Sequence, residues 1–182
     1  MCKFLMISRV LYDKGYQQYV DASKVILKRY PNVKFILLGD IDESYPNHVP
    51  RDIVEKDVQE GYIEYLGYRQ DVKDIIINCD CIVHPTFYNE GLSRVLMEGL
   101  AMKKPIITTD IPGCRETVDD GKTGFLCQPK DVASLVSTIE KFLSLSVEER
   151  HNMGLNGRKK AEEIFDVNKV IDIYHTITDK YC

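Results

Sequence analysis

The stretch "NEGLSRVLMEGLAMKKP", Asn89 to Pro105, decides how this chain is read. Leu92, Val95, Leu96, Leu100 and Met102 recur at helical spacing, which predicts a helix from about Leu92 to Lys103 with one face in a core. On one side lies "CIVH" (Cys81 to His84), a short apolar run of strand type closed by Pro85; on the other lies "PIIT" (Pro105 to Thr108). Strand, helix and strand in that order predict a βαβ unit of a parallel sheet. Glu90, just before the helix, and Glu98, inside it, are out of place in a helix made only for a core.

The same alternation extends to both ends. Further strands are expected at "KFLMIS" (Lys3 to Ser8), "KFILLG" (Lys34 to Gly39), "IEYL" (Ile63 to Leu66) and "GFLC" (Gly124 to Cys127). A helix from about Tyr16 to Tyr30 carries the stripe Tyr16, Tyr19, Val20, Ile26, Leu27 and Tyr30, and others are expected near Asp52 to Glu60, Val72 to Asn78 and Asp131 to Ser144. Ser146 and Glu149 form a capping box that opens a helix running to about Phe165. Val167, Val170, Ile171, Tyr174 and Ile177 make the stripe of a last helix. With no linker, internal repeat or low-complexity segment, the expectation is an α/β fold, a Rossmann-like doubly wound parallel sheet with C-terminal helices, forming a single domain of residues 1–182. Ligands of such sheets lie outside the carboxyl ends of the strands.

Composition sets the bounds on function. Of 182 residues, 44% are hydrophobic and 29% charged, as in an ordinary globular protein. No apolar run approaches the roughly 20 residues that span a bilayer, and "MCKFLMISRV" is too soon interrupted by charge for a signal peptide, so a cytoplasmic chain is expected. Lys and Arg number 24 against 28 Asp and Glu, a net charge of −4 without a long basic run, which argues against nucleic acid as partner. The six cysteines include no CxxC pair, and small buried thiols are favoured over a metal site.

The residues that carry chemistry fall in the loops. Glu90 and Gly91 stand where the helix after His84 begins, and its free N–H groups and dipole make an anion site there, with Gly91 allowing close approach. Glu98, about two turns in, lies on the order of 10 Å along the axis from Glu90. That separation suits a nucleotide sugar, its sugar at Glu90, its diphosphate at the amides and its ribose diol at Glu98. Taken alone, the pair reads more readily as a charge near a helix start and a solvated side chain. After the first strand, "SRVLYDKGY" places Arg9 and Lys14 in a loop that meets the same crevice, where two cations would neutralise a diphosphate. The loop lacks GxGxxG, which disfavours a dinucleotide cofactor.

With R-x4-K after the first strand, "YLGYRQDV" (Tyr65 to Val72) and "HPTFYNEGLSRVLMEGLAMKKPIITTDIPGCRETVDDGKTGFL" in view, the chain resembles, over nearly its whole length, the C-terminal half of the family-4 retaining glycosyltransferases of the two-domain GT-B fold. The resemblance implies that Arg9 and Lys14 bind the donor diphosphate and act in catalysis with Glu90, which meets the donor sugar. It also implies that Gly91, Leu92 and Ser93 are donor-binding, that Glu98 holds the ribose hydroxyls, and that Gly67, Tyr68 and Arg69 lie at the base. The implied partners are a nucleotide-sugar donor, with UDP favoured, and an acceptor-binding N-terminal domain absent from this chain. The chain is then expected to be a piece of a longer enzyme rather than one subunit of a split one, inactive by itself, and at the membrane only through the full-length protein. Polysaccharide or glycoconjugate synthesis is the implied setting. A sugar-nucleotide epimerase or a non-catalytic nucleotide-sugar module are the alternatives.

Three other features are weighed. Asp40-Ile41-Asp42 is a D-x-D such as holds a divalent metal elsewhere, but the cations already present favour a metal-independent site without cofactor. Arg115 either reaches the ligand or pairs with Glu116 or another acid. His84 closes a buried strand and is read as a satisfied structural imidazole rather than a base.

Overall fold

The computed structural model describes residues 1–89 and 91–181, the side chains of 170, 173 and 179–181 excepted. Glu90 and Cys182 lie outside the described residues. Six strands, β1 (Cys2–Ile7), β2 (Val33–Leu38), β3 (Glu64–Tyr65), β4 (Cys81–His84), β5 (Ile106–Thr109) and β6 (Gly124–Cys127), form one sheet in the order β3-β2-β1-β4-β5-β6. Every pairing is parallel. The helices are α1 (Tyr16–Arg29), α2 (Arg51–Gln59), α3 (Val72–Ile77), α4 (Arg94–Ala101), α5 (Val132–Ser144), α6 (Val147–Ile164) and α7 (Val167–Tyr181), with a short 3₁₀ turn at Arg115–Thr117.

Both faces of the sheet are covered, which is why its strands read as continuous apolar runs rather than alternations. Phe4, Met6, Phe35 and Val83 point to the face packed by α1, α2 and α5, through Tyr19, Val54 and Ile139 among others. Leu5, Ile82 and Ile106 point to the face packed by α3 and α4, through Ile76, Leu96 and Leu100, with Ala161 of α6 behind. Helix α6 opens on a complete capping box: the Ser146 hydroxyl accepts from the Glu149 N–H at 3.2 Å and the Glu149 carboxylate from the Ser146 N–H at 2.7 Å. Its Gly154 backs directly onto the Lys103 carbonyl, which an added Cβ would meet at 2.2 Å.

The helix of the opening stretch differs from its sequence reading in two ways. Ser93 takes an extended N-cap conformation, so α4 starts at Arg94, and Leu92 is left 48% exposed outside the core stripe. Glu98 is then the fifth helical residue, one turn in rather than two. Helix α1 ends at Arg29, which leaves Tyr30 exposed beyond its buried stripe. Of the stripe expected in α7, Val167, Ile171, Tyr174 and Ile177 all face solvent in this chain, and the Val170 side chain lies outside the described residues. Among the described residues no helix is long and apolar enough to cross a membrane.

Candidate functional site

Strands β1 and β4 are neighbours, but β1 leads to β2 on one side and β4 to β5 on the other. The helices that follow them, α1 and α4, pack on opposite faces. The two loops therefore part at the carboxyl end of the sheet and leave a crevice, as expected at a topological switch point.

Backbone hydrogen bonds tie these loops together. The Phe87 N–H donates to the Asp13 carbonyl at 3.0 Å, and the Thr86 hydroxyl to the same oxygen at 3.2 Å. Gly15 has φ +88°, and a Cβ there would lie 2.2 Å from the Pro85 carbonyl oxygen. Only glycine meets both the left-handed conformation and the close approach. The segment after β2 braces the first loop from outside, with Val10 N–H donating to Asp40 and Tyr12 N–H to Asn47, at 2.9 and 3.0 Å.

The resulting cleft, about 500 Å³, is lined by Arg9 and Lys14 on the β1 side and by Gly91, Leu92, Ser93 and Arg94 on the α4 side. Thus five of the residues expected from sequence converge. The Arg9 guanidinium lies 4.2 Å over the Tyr45 ring and the Lys14 ammonium 4.4 Å over that of Tyr88, cation–π contacts invisible in the sequence pattern. Burial lowers the Lys14 pKa, Asp13 opposes that shift, and the nearby Arg9 charge adds to it. Ser93 donates its N–H to the Gly113 carbonyl at 3.0 Å, but its side chain caps no helix amide. The positive end of α4 is therefore turned, without a side-chain cap, toward a cleft already holding two cations.

The remaining candidates stand elsewhere. Glu98 lines a second cleft, about 810 Å³, between α4 and α6, and Arg94 is common to both. Its carboxylate, 54% exposed, is 3.8 Å from the Arg94 guanidinium. Gly67, Tyr68 and Arg69 lie past β3 and do not line the cationic cleft: Gly67 accepts from the Gly39 N–H at 3.0 Å, Tyr68 is 72% exposed, and Arg69 donates to Asp71 at 2.8 and 2.7 Å. Asp42 accepts from the Ser44 N–H and hydroxyl, which hold its carboxyl below the ordinary range. Arg115 pairs with Asp110 at 3.0 Å rather than with Glu116, which accepts from the Gly113 N–H.

His84 requires a correction. It is buried, 2% exposed, but among the described residues neither ring nitrogen has a hydrogen-bond partner, so it is not the satisfied imidazole expected. Burial, reinforced by Lys14, pushes its pKa down to about 4. Both His84 and Ser8, whose buried hydroxyl likewise has no partner among the described residues, line the cationic cleft.

Comparison with known proteins places these features in context. The family described as "Glycosyl transferases group 1" matches residues 2–160. The capsular polysaccharide biosynthesis glycosyltransferase CapM of Staphylococcus aureus is 29% identical over 163 residues, which cover 87% of this chain and 41% of that protein. The N,N'-diacetylbacillosaminyl-diphospho-undecaprenol alpha-1,3-N-acetylgalactosaminyltransferase of Campylobacter jejuni is 30% identical over 176 residues, covering 97% and 44%. Among solved structures, Anabaena Alr3699/HepE in complex with UDP and glucose superposes with a TM-score of 0.82 at 25% identity, covering 97% of this chain and 48% of that one. The chain spans less than half the length of these relatives.

Proposed function

The chain belongs to the group 1 glycosyl transferases, and from that premise we propose that it is the donor-binding half of a retaining glycosyltransferase of the family-4 type, with a UDP-sugar as donor. The observation that carries this reading is the convergence of Arg9 and Lys14 with the uncapped amino end of α4 on one cleft at the switch point. Two cationic side chains and free helix N–H groups facing one cleft suit an anion, and a diphosphate is one. The UDP and glucose in the related Anabaena structure support the choice of nucleotide. Glu98, across Arg94 from the cleft, is assigned the ribose, Glu90 the transferred sugar, and the Gly67–Arg69 turn the base side.

In this reading the bond from the anomeric carbon to the diphosphate oxygen breaks, and its electron pair stays on the diphosphate. Arg9, Lys14 and the α4 amides stabilise the developing charge, which is where electrostatic catalysis acts. The acceptor hydroxyl attacks from the same face and its proton passes to a leaving-group phosphate oxygen, so configuration is retained. The acceptor is held by an N-terminal domain outside this chain, and the setting is polysaccharide or glycoconjugate synthesis on the cytoplasmic side of a membrane. No metal is required, because the cations and amides take its place.

Calorimetry of this chain with UDP, first in magnesium and then in EDTA, tests the proposal. Binding unchanged by EDTA, and weakened by Arg9→Ala and Lys14→Ala, is expected. Binding only with metal would transfer the diphosphate to Asp40 and Asp42.

A further inference from the structure

His84 ends β4 and Ser8 directly follows β1, the two strands that flank the switch point, and hydrogen bonds hold the backbone of both. The Ser8 N–H donates to the Leu38 carbonyl at 3.0 Å, and the His84 carbonyl accepts from the Thr108 hydroxyl at 2.8 Å. Among the described residues, the Ser8 hydroxyl oxygen and both His84 nitrogens are buried and unpartnered, and both residues line the cleft that holds Arg9 and Lys14. Buried polar atoms without partners are rare in folded proteins and costly to keep, and here three gather at one cleft.

We propose that the Ser8 hydroxyl and the His84 imidazole are additional donor-binding groups, which hydrogen-bond the diphosphate oxygens of a bound nucleotide sugar from the floor of the cleft. This rests on the donor-site reading given above. Phosphate oxygens only accept, and each of these side chains has a hydrogen to donate. The imidazole is kept neutral by burial and by Lys14, so it carries one N–H and adds no third positive charge to the cleft. Together the two groups complete a polar floor beneath cationic walls. Their direction of donation suits an anion rather than a second cation.

His84→Leu and Ser8→Ala separate this role from a structural one. Each removes a polar group that has no partner in the unliganded chain, so thermal midpoints at neutral pH are expected to stay level or rise. UDP affinity is expected to fall about 10- to 100-fold in His84→Leu, the range for a hydrogen bond to a charged group, and less in Ser8→Ala. UDP-glucose should lose affinity by the same factor as UDP, since the contact is with phosphate. Unchanged UDP affinity in both variants, or a loss confined to UDP-glucose, overturns the assignment while leaving the donor site standing. A His84→Leu chain that does not fold shows the ring to be structural and overturns its part, and Ser8→Ala then reads the hydroxyl alone. Absence of UDP binding by the unsubstituted chain overturns the donor site and this assignment together.

Discussion

His84 shows how one side chain can couple stability to pH. Its pKa is about 4 in the folded protein against an ordinary 6.5, so between these values the unfolded chain binds a proton that the folded one excludes. This proton linkage leaves stability at its full value above pH 6.5 and removes about 3 kcal/mol of it as pH falls toward 4. Urea midpoints measured across that window are expected to fall more steeply for the unsubstituted chain than for His84→Leu; parallel curves would contradict it. Glu98→Ala tests a different residue and is expected to weaken UDP binding by about 1.5–3 kcal/mol if the carboxylate holds the ribose. Calorimetry with UDP checks it, and an unchanged affinity would leave Glu98 as a surface partner of Arg94. Arg9, Lys14 and the Gly91–Ser93 turn were legible as a group through the expected sheet, which brings their loops to one crevice, and through the family resemblance; two cations in a loop say little alone. The state of His84 was not. Whether a buried nitrogen finds a partner depends on residues from other strands, and "CIVH" contains none of them.

At the scale of elements, the strands were legible because most of their residues are buried on both faces, and "CIVH" and "GFLC" match their observed ranges in full, whereas half-buried β3 keeps only Glu64–Tyr65 of "IEYL". The start of α4 was misplaced because Leu92 fits the apolar spacing while the extended backbone at Ser93 delays the first helical residue to Arg94, and spacing alone does not say where the backbone turns helical. Strand order was not legible in any single run, since "PIIT" records that it is buried and not which strand lies beside it; it came with the doubly wound expectation, and the observed β3-β2-β1-β4-β5-β6 agrees. Packing of α4 gives a further prediction. At Gly154 of α6 an added Cβ would meet the backbone oxygen of Lys103 at 2.2 Å, whereas at Gly99 of α4 it would meet the flexible ends of Ile82 and Ile106 at 2.5 and 2.9 Å. Alanine favours a helix over glycine by about 1 kcal/mol, which can offset the second clash but not the first. Gly154→Ala is therefore expected to destabilise by about 1–3 kcal/mol and Gly99→Ala to lie closer to neutral, as denaturation midpoints would show. Equal losses would mean that the α4–α6 contact is softer than its geometry.

For the molecule as a whole, the chain spans less than half the length of its relatives, and turnover is where that matters. Orienting an acceptor can contribute on the order of 7–11 kcal/mol to lowering a barrier. Sugar transfer from labelled UDP-sugar is expected to be undetectable with these 182 residues and present in a longer polypeptide that adds an acceptor-binding domain. Comparable rates in both would place the acceptor on this chain. The proposed donor cleft has a different dependence, because the hydrogen bonds from Thr86 and Phe87 to Asp13, with Gly15 seated against Pro85, join its two walls. If the proposed diphosphate binds here, walls joined in this way should need no slow closing step before capture. Encounter would then be governed by diffusion in the local field of Arg9 and Lys14, and added salt should lower the association rate constant while leaving the dissociation rate nearly constant.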